Sequence, residues 1–264
     1  MHNGYVIITG AAGNIGNKLA YYLLNKGYRL ILTSRNAKHQ REMQEIFDEY
    51  KDKLLTRELD LADKHSIEHF VKSIKEIHVV GLVNNAATDN IDSLQDLTYE
   101  SIQNISNVNY VGTAYLTTML AKMAIEKRQG LNIVNVSSLL SVYGANKSAA
   151  YSASKAALEA FARNLTVEFA DKDIVCNSVR VAAISGELNL FGAETHVVKY
   201  DGEPEKANKK NAIDHIPAKR CSTHREINEL IEFLLSGKVS YMNGQCINLD
   251  GGTSVQYPGY SISE

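Results

Sequence analysis

The feature of the sequence that most limits its possible folds is a glycine-rich turn near the start of the chain. The apolar run Tyr5 to Ile8 has the character of a short strand. It is followed by Thr9-Gly10-Ala11-Ala12-Gly13-Asn14-Ile15-Gly16 and then by a helical pattern that ends near Gly27. Glycines let a backbone approach a pyrophosphate, and the N–H groups of a helix N-terminus attract it. The pattern favours a nucleotide-binding unit, although such a stretch can also be only a turn.

Length and charge narrow the possibilities further. A chain of 264 residues with 44% hydrophobic content can bury a substantial core, so we expect one domain over residues 1–264. The formal charge of −2 is spread over interspersed charges of both signs, which argues against nucleic-acid or membrane partners and favours a small-molecule ligand. We find no run approaching the roughly 20 apolar residues of a membrane span and no signal peptide, so we expect a cytoplasmic protein.

Two patterns that could bind a metal are present, and neither predicts a metal site. The cysteines Cys176, Cys221 and Cys246 are odd in number and widely spaced, so we interpret them as buried or incidental thiols. The run His65-Ser66-Ile67-Glu68-His69 matches a His-x-x-Glu-His metal motif. It falls on an expected outer helix with no further ligand candidate, so we expect surface residues and no metal.

The strongest chemical signal is the pair Tyr151 and Lys155 in Tyr-Ser-Ala-Ser-Lys. Residues four apart project from one face of a helix, so the lysine ammonium can stabilise a tyrosine phenolate. A phenol normally titrates at a pKa of about 10, and an adjacent cation is what lets it exchange protons near neutral pH. This spacing therefore predicts an acid/base pair.

The same spacing occurs at two other tyrosines, Tyr22 and Tyr143. Tyr143 precedes Gly144, a poor helix residue, and Tyr22 lies in an early helix where tyrosine favours packing. Only Tyr151 opens a long amphipathic run, to Phe169, after an apolar strand. That strand, Leu131 to Val136, ends in a pair of serines.

Several segments together resemble the short-chain dehydrogenase/reductase family, from Thr9 to Gly252. Beside the glycine turn and the Tyr-x-x-x-Lys pair, the matching segments are Asn84-Asn85-Ala86-Ala87, Val108-Asn109-Tyr110-Val111-Gly112 and Asp250-Gly251-Gly252. The resemblance implies an α/β fold: a Rossmann-like, doubly wound, seven-stranded parallel sheet with helices on both faces. It implies an NAD(P)-dependent oxidoreductase that interconverts a carbonyl and a secondary alcohol of a small molecule.

The resemblance also assigns catalytic roles. Tyr151 would be the acid/base, and Lys155 would hold the nicotinamide ribose and lower the pKa of the tyrosine. Ser138 would polarise the substrate oxygen; it is chosen over Ser137 by its thirteen-residue distance from Tyr151. Asn109 would position a water that links the lysine to solvent.

The choice of cofactor depends on the end of the second strand, Arg29 to Thr33. An acid there would bind the 2′-hydroxyl of NAD, whereas the chain has Ser34-Arg35, which suits the 2′-phosphate of NADP. Arg35 could also be solvated or stacked on the adenine, so NAD stays possible. The residues expected at the cofactor are Gly10, Asn14, Ile15, Gly16, Ser34, Arg35, Asp60, Leu61, Asn84, Ala86, Tyr151, Lys155 and Ile184.

The sequence departs from the family in ways that keep two alternatives open. The glycine spacing, Thr-Gly-x-x-Gly-x-x-Gly, looks like that of nucleotide-sugar epimerases and dehydratases. Ala87 replaces a glycine of the family, and Val181-Ala182 stands where the family has Pro-Gly, so a non-catalytic NADP-binding sensor is the second alternative.

Two further expectations follow from the resemblance. Residues 185–219 would form a substrate lid, since they are polar and irregular. The two long helices, roughly Tyr99 to Gln129 and Tyr151 to Ala170, would pair with a partner's copies in a homo-oligomer, a homotetramer by preference and otherwise a dimer, and small residues on the second helix would permit close approach. These small residues are Ala156, Ala157, Ala160 and Ala162. Sugars, steroids, acyl thioesters, polyols and quinones all remain possible substrates.

Overall fold

The computed structural model describes residues 4–89, 92–184 and 216–256. Its strands are β1 (Tyr5–Ile8), β2 (Arg29–Ser34), β3 (Leu54–Glu58), β4 (Val79–Asn84), β5 (Leu131–Ser138), β6 (Ile174–Val181) and β7 (Cys246–Leu249). Its main helices are α1 (Asn14–Asn25), α2 (Ala37–Ile46), α3 (Lys64–Ser73), α4 (Tyr99–Ser106), α5 (Thr113–Glu126), α6 (Ala149–Phe169) and α7 (His224–Leu235).

The seven strands form one parallel sheet in the order β3-β2-β1-β4-β5-β6-β7, which confirms the predicted fold class. Successive strand residues point to opposite faces, and each face is covered by helices. Ile31, for example, belongs to the core shared with α3, α5 and α6, whereas Leu30 and Leu32 belong to the core shared with α1 and α7. Burial on both faces explains the continuous apolar runs of the sequence.

Some element boundaries differ from those expected. The third strand ends at Glu58, so Asp60 and Leu61 lie in the following loop rather than on the strand. The charged run Lys38 to Lys53 has the sequence pattern of one helix, but it divides at Phe47 into α2 and a 3₁₀ segment, because Phe47 leaves helical geometry. The sequence Thr223-His224-Arg225-Glu226 predicts a capping box, and the structure confirms one at the start of α7.

The expected substrate lid lies outside the described residues, apart from its last four, 216–219. No helix in the described parts of the chain is long and apolar enough to cross a membrane.

The long helix predicted from Tyr99 to Gln129 contains an unexpected irregularity. Residues Asn107–Gly112 form a π-helical segment between α4 and α5, and the two helices continue on either side of it. The Thr113 hydroxyl donates a 2.8 Å hydrogen bond to the Val108 carbonyl five residues earlier. Such segments occur often at functional sites, and this one carries Asn109.

Gly112 lets the π-helical segment approach the loop after β3. A Cβ added at Gly112 would lie 1.8 Å from the Leu61 carbonyl oxygen and 2.7 Å from its carbon. Both are backbone atoms in a packed region, so they cannot move away as a flexible side chain could.

We therefore expect Gly112→Ala to lower the free energy of unfolding by about 3 kcal/mol, because the overlap outweighs the better helix propensity of alanine. Urea denaturation followed by circular dichroism measures this change. Gly144→Ala is the matched control, since nothing lies within 4 Å of its added Cβ; it should change stability by less than about 0.5 kcal/mol. Equal stabilities for the two variants would contradict the packing described here.

Candidate active site

All strands of the sheet are parallel, so the segments that follow them meet at one edge. The glycine turn follows β1, Ser34 ends β2, Asn84 ends β4 and Ser138 ends β5. Strands β1 and β4 are neighbours whose connections run in opposite directions along the sheet. In open α/β sheets, ligands bind beside such a point, outside the carboxyl ends of the strands.

The glycine turn is fastened to the loop after β4. The Thr9 hydroxyl accepts 3.0 Å hydrogen bonds from the backbone N–H groups of Asn85 and Ala86. The Asn85 side-chain amide donates to the carbonyls of Thr9 and Gly10, at 2.9 and 3.0 Å. Gly10 has a φ of +61°, and an added Cβ there would lie 2.7 Å from the Ala86 Cα. Two predicted cofactor residues, Gly10 and Ala86, are therefore in direct contact.

The N-terminus of α1 has the features of a phosphate site. Its N-cap residue is Gly13, which supplies no side-chain cap to the first-turn N–H groups. A Cβ at Gly16 would lie 2.6 Å from the Gly10 carbonyl oxygen, so the turn and the helix pack closely. The Asn14 Oδ1 is buried and has no hydrogen-bond partner in the described part of the chain. Ile15 is half-buried beside it. The uncapped N–H groups of α1 and the glycine turn packed against them fit the pyrophosphate of a dinucleotide, whereas the Asn14 Oδ1, an acceptor, does not itself bind an anion.

The residues predicted to contact the adenosine end lie beyond β2 and β3. Ser34 is buried, and its hydroxyl accepts a 3.2 Å bond from the Asn36 N–H. Arg35 is exposed beside it, so its guanidinium is accessible to a ligand phosphate. Asp60 uses its carboxylate to accept a bond from the Ala62 N–H at 2.9 Å, and the Leu61 side chain is buried.

Asn84 and Ile184 contribute differently from the rest of the predicted set. Asn84 is only 2% exposed, and its amide donates to Thr117 and Asn135 in the core, at 2.9 and 2.8 Å. Its side chain therefore holds β4 against β5 and α5, which leaves its backbone as the part able to meet a cofactor. Ile184 forms an isolated bridge with Ser222.

The Pro-Gly departure does not interrupt the sheet. Strand β6 continues to Val181, which pairs with Ser138 on one side and Leu249 on the other. The Ala182 N–H also donates to the Leu249 carbonyl, at 3.3 Å. The backbone that leads into Ile184 is therefore held by both neighbouring strands.

The structure places Ser138 near enough to Tyr151 for the serine hydroxyl to favour the phenolate. Ser138 ends β5, and its hydroxyl also accepts a 3.2 Å bond from the Leu140 N–H. Tyr151 lies in the first turn of α6. Burial raises the pKa of Tyr151 to about 12; the charge of Asp89 acts in the same direction, and the hydrogen bond with Ser138 opposes both.

Lys155 lies one helical turn beyond Tyr151 and is 3% exposed. Its Nζ donates a 2.8 Å hydrogen bond to the Val136 carbonyl and lies 5.5 Å from the centre of the Tyr151 ring. Burial lowers the pKa of Lys155 to about 8, although the Asp89 and Glu159 carboxylates raise it. The pKa of Tyr151 is therefore raised overall rather than lowered as expected, because burial of the phenol dominates and the Lys155 ammonium donates its hydrogen bond to a backbone carbonyl.

Asn109 reaches the same site from the π-helical segment. It is 1% exposed, its Oδ1 accepts from the Thr88 N–H at 2.8 Å and its Nδ2 donates to the Thr88 carbonyl at 2.8 Å. Its Nδ2 also donates to the Ser154 hydroxyl at 3.1 Å, and Ser154 donates to the Tyr151 carbonyl. Asn109 thus joins the loop after β4 to the helix that carries Tyr151.

Sequence reasoning missed four contributors to this site. Asn85 lies within the recognised Asn-Asn-Ala motif, and Ser154 within the Tyr-Ser-Ala-Ser-Lys motif, so both could have been included. Glu159 repeats the four-residue spacing after Lys155. Asp89 carries no such signal, because only the fold brings its charge near Tyr151 and Lys155.

The histidine motif lies on α3, away from these residues. Glu68 accepts a 2.9 Å bond from the Tyr115 hydroxyl and is 3.6 Å from the Lys64 ammonium. His65 and His69 are exposed. Within the described ranges, no three His, Cys, Asp or Glu side chains lie close enough together to hold a metal ion.

Comparison with known proteins agrees with this geometry. The sequence model of the family described as Enoyl-(Acyl carrier protein) reductase matches residues 10–254. A 3-oxoacyl-[acyl-carrier-protein] reductase, FabG, from Buchnera aphidicola is 29% identical over 252 residues, which cover 93% of this chain and 95% of the relative. A diacetyl reductase from Staphylococcus epidermidis is 27% identical over 93% of this chain and 96% of the relative.

Solved structures share the fold over nearly the full length. A short chain dehydrogenase from Bacillus anthracis superimposes with a TM-score of 0.83 at 26% identity, covering 97% of this chain and 98% of that one. ElxO with NADP bound gives a TM-score of 0.84 at 25% identity, covering 97% of this chain and all of that one. The match of the family model to most of the sequence, together with this fold, shows that the chain belongs to the short-chain dehydrogenase/reductase family of oxidoreductases.

Proposed function

We propose that this protein is an NADP(H)-dependent reductase that converts a carbonyl to a secondary alcohol and can catalyse the reverse reaction. The observation that carries this proposal is the buried Lys155 ammonium, which lies 5.5 Å from the centre of the Tyr151 ring and bonds to the strand that ends at Ser138. These groups lie at the edge of the sheet where the glycine turn and α1 offer a phosphate site. When bound, the nicotinamide of the cofactor supplies or accepts the hydride.

Tyr151 is suited to donate a proton to a carbonyl oxygen. With a pKa raised to about 12 it carries its proton at neutral pH, which is the state that reduction of a carbonyl requires. The Ser138 hydroxyl polarises the same oxygen by donating a hydrogen bond. After transfer, the phenolate left on Tyr151 is stabilised by the Lys155 ammonium.

The lysine must stay charged for this role. Its pKa of about 8 means that Lys155 is mostly protonated at pH 7 and loses its charge as the pH rises through that value. We place Asn109, through its bonds to Thr88 and Ser154, as the residue that keeps a path from Lys155 to solvent.

The cofactor preference for NADP(H) is supported by the exposed Arg35 and by the lack of an acid at the end of β2. It agrees with the NADP named in the ElxO structure. The substrate class is supported by two relatives, one named as a reductase of 3-oxoacyl groups on acyl carrier protein and the other as a reductase of diacetyl. Both of these substrates contain a ketone. An epimerase or dehydratase is the less supported alternative, since the chain spans nearly the whole length of these reductases.

Assembly as a homotetramer is part of this proposal. The outer surface of the α4–α5 region exposes Tyr99, Ile102 and Val111, and α6 exposes Val167. Ala162, expected to face a partner, is instead 2% exposed within the chain's own core, so it is unavailable for that contact. Ala156, Ala157 and Ala160 are half-buried on α6.

Tyr151→Phe should abolish turnover, since it removes the proton donor and keeps the packing of the ring. We expect a loss of at least about 100-fold in kcat, with the NADPH dissociation constant changed by less than about 2-fold. The assay follows NADPH absorbance with butane-2,3-dione and acetoacetyl-CoA, and fluorescence titration gives cofactor binding. Tyr22→Phe, in the unrelated Tyr22/Lys26 pair, is the control and should retain full activity. Substantial turnover by Tyr151→Phe would refute the assignment, and NADPH binding without turnover by the wild type across a broad carbonyl and alcohol panel would favour the sensor.

Arg35→Ala should weaken NADPH binding by about 10-fold and leave NADH binding unchanged, because only NADPH has a 2′-phosphate for the guanidinium. Titration of both cofactors against the wild type and the variant tests this. Arg41→Ala removes a second exposed guanidinium, on α2, and should alter neither affinity. Equal affinities of the wild type for NADPH and NADH would contradict the preference.

Light scattering at micromolar concentration should give a mass four times the 29.2 kDa of the chain. Ala160→Arg places a long charged side chain on the expected contact face of α6 and should shift the mass to a smaller species. Ala62→Arg, at an exposed loop residue elsewhere, should leave the mass unchanged. A monomeric wild type would refute the assembly.

A further inference from the structure

One buried side chain near the active site makes several hydrogen bonds but has no role in the catalytic mechanism proposed above. Glu159 lies on α6, one helical turn beyond Lys155, and is 3% exposed. Its Oε1 accepts hydrogen bonds from the hydroxyls of Ser137 and Ser141, both at 2.7 Å, and from the Arg180 Nε at 2.9 Å. Its Oε2 accepts from the Arg180 Nη2 at 2.7 Å.

The two serines stand on either side of the residue that the proposed chemistry needs. Ser137 precedes Ser138 at the end of β5, and Ser141 closes the 3₁₀ turn Leu139–Ser141 that follows it. The Glu159 carboxylate therefore ties down both ends of the five-residue stretch that contains Ser138. Within that stretch, the other side-chain bonds described run from the Leu140 N–H to the Ser138 hydroxyl and from the Arg180 Nε to the Ser141 hydroxyl, the latter at 3.1 Å.

Glu159 belongs to α6, the helix that also carries Tyr151. Eight residues separate Tyr151 from Glu159, which is about 12 Å along a helix axis. Between them, the Lys155 ammonium bonds to the Val136 carbonyl, next to Ser137. Two successive turns of α6 are thus bonded to the end of β5, the first through the Lys155 ammonium and the second through the Glu159 carboxylate.

Arg180 makes a buried carboxylate tolerable at this point. It lies on β6 directly opposite Ser137 in the sheet, and its side chain is only 17% exposed. Burial opposes ionisation of Glu159, but the hydrogen bonds from Arg180, Ser137 and Ser141 outweigh it and hold the pKa of the carboxyl below its usual value. Glu159 is therefore ionised at neutral pH, and its carboxylate can accept all four hydrogen bonds.

We propose that Glu159 is a positioning residue, which sets the distance between Ser138 and Tyr151 by holding the serine turn to α6. This role deepens the proposed carbonyl reduction and depends on it. Displacing the Ser138 hydroxyl by about 1 Å from its productive position can lower the rate about 100-fold. Loss of the hydrogen bonds between Glu159 and the two serines should therefore affect turnover more than cofactor binding.

Two sets of variants separate positioning from simple stability. Glu159→Gln keeps the size of the side chain and removes the charge. The double variant Ser137→Ala/Ser141→Ala leaves the Glu159–Arg180 ion pair intact, so α6 stays joined to β6, and cuts only the ties to the serine turn. Glu168→Gln is the control, because it removes an exposed carboxylate from the same helix.

We expect kcat with butane-2,3-dione or acetoacetyl-CoA to fall by about 10-fold to 100-fold in Glu159→Gln and in the serine double variant. The NADPH dissociation constant should change by less than about 2-fold in both. Amide hydrogen exchange of residues 139–143 should become at least about 10-fold faster in both, without NADPH or substrate present. Glu168→Gln should match the wild type in all three measurements.

The dependence of kcat on pH is a further measurement, and it should not change if Glu159 only stabilises the fold. The charged and titratable groups facing Lys155 are Tyr151 and Glu159 on its own helix and Asp89 from the loop after β4. Glu159 raises the pKa of Lys155, so its loss lowers that pKa. The fall of kcat at high pH should therefore move to lower pH in Glu159→Gln, and should stay in place in the serine double variant.

Full kcat in the serine double variant, alongside faster exchange, would overturn the positioning role, as would unchanged exchange in both variants. If Glu159→Gln does not fold, the double variant alone decides between these outcomes. A wild type that turns over no carbonyl contradicts the proposed function instead. In that case, faster exchange confined to the two variants would still show that Glu159 holds the serine turn.

Discussion

The site depends on keeping a positive charge inside the protein. Burial of the Lys155 ammonium is unfavourable, and the structure offsets it with the Val136 carbonyl and with two carboxylates, Glu159 and Asp89. The balance leaves the pKa of the lysine near 8 rather than far lower, so the charge persists at neutral pH. Because these partners come from β5, from α6 itself and from the loop after β4, the cation can be accommodated only when the sheet and the helix are assembled.

The same assembly explains why the glycine turn and the catalytic residues meet. In a parallel sheet every strand delivers its following loop to one edge, and the Asn85 amide then fastens the turn after β1 to the loop after β4. The next residues of that loop are held by Asn109, which also contacts Ser154 on α6. One loop therefore connects the phosphate site to the acid/base pair, through the side chain of Asn85 at one end and the backbone of Thr88 at the other.

Much of the fold could be read from the sequence because its signals are local. Apolar runs such as Val79 to Val83 predict buried parallel strands, and the Thr223 capping box marks a helix start to within a residue. The features that could not be predicted depend on contacts between distant segments. The direction of the Asn84 side chain depends on β5 and α5, and the raised pKa of Tyr151 depends on burial. The role of Glu159 depends on the sheet register that sets Ser137 opposite Arg180.

That π-helical segment changes how one continuous stretch of chain meets its surroundings. An extra residue in a helical turn rotates everything after it by about 100° relative to an unbroken α-helix. The two helices therefore present different faces, and α4 packs against α6 whereas α5 packs against α3 and, less extensively, against β4 and α6. The apolar faces of α4 and α5 therefore point in different directions, and Asn109 lies in the segment that joins the two helices. Deleting one residue from the π-helical segment would make α4 and α5 one regular helix and would rotate the apolar face of one of them away from its packing partners. The length of this segment is therefore as tightly constrained as its composition.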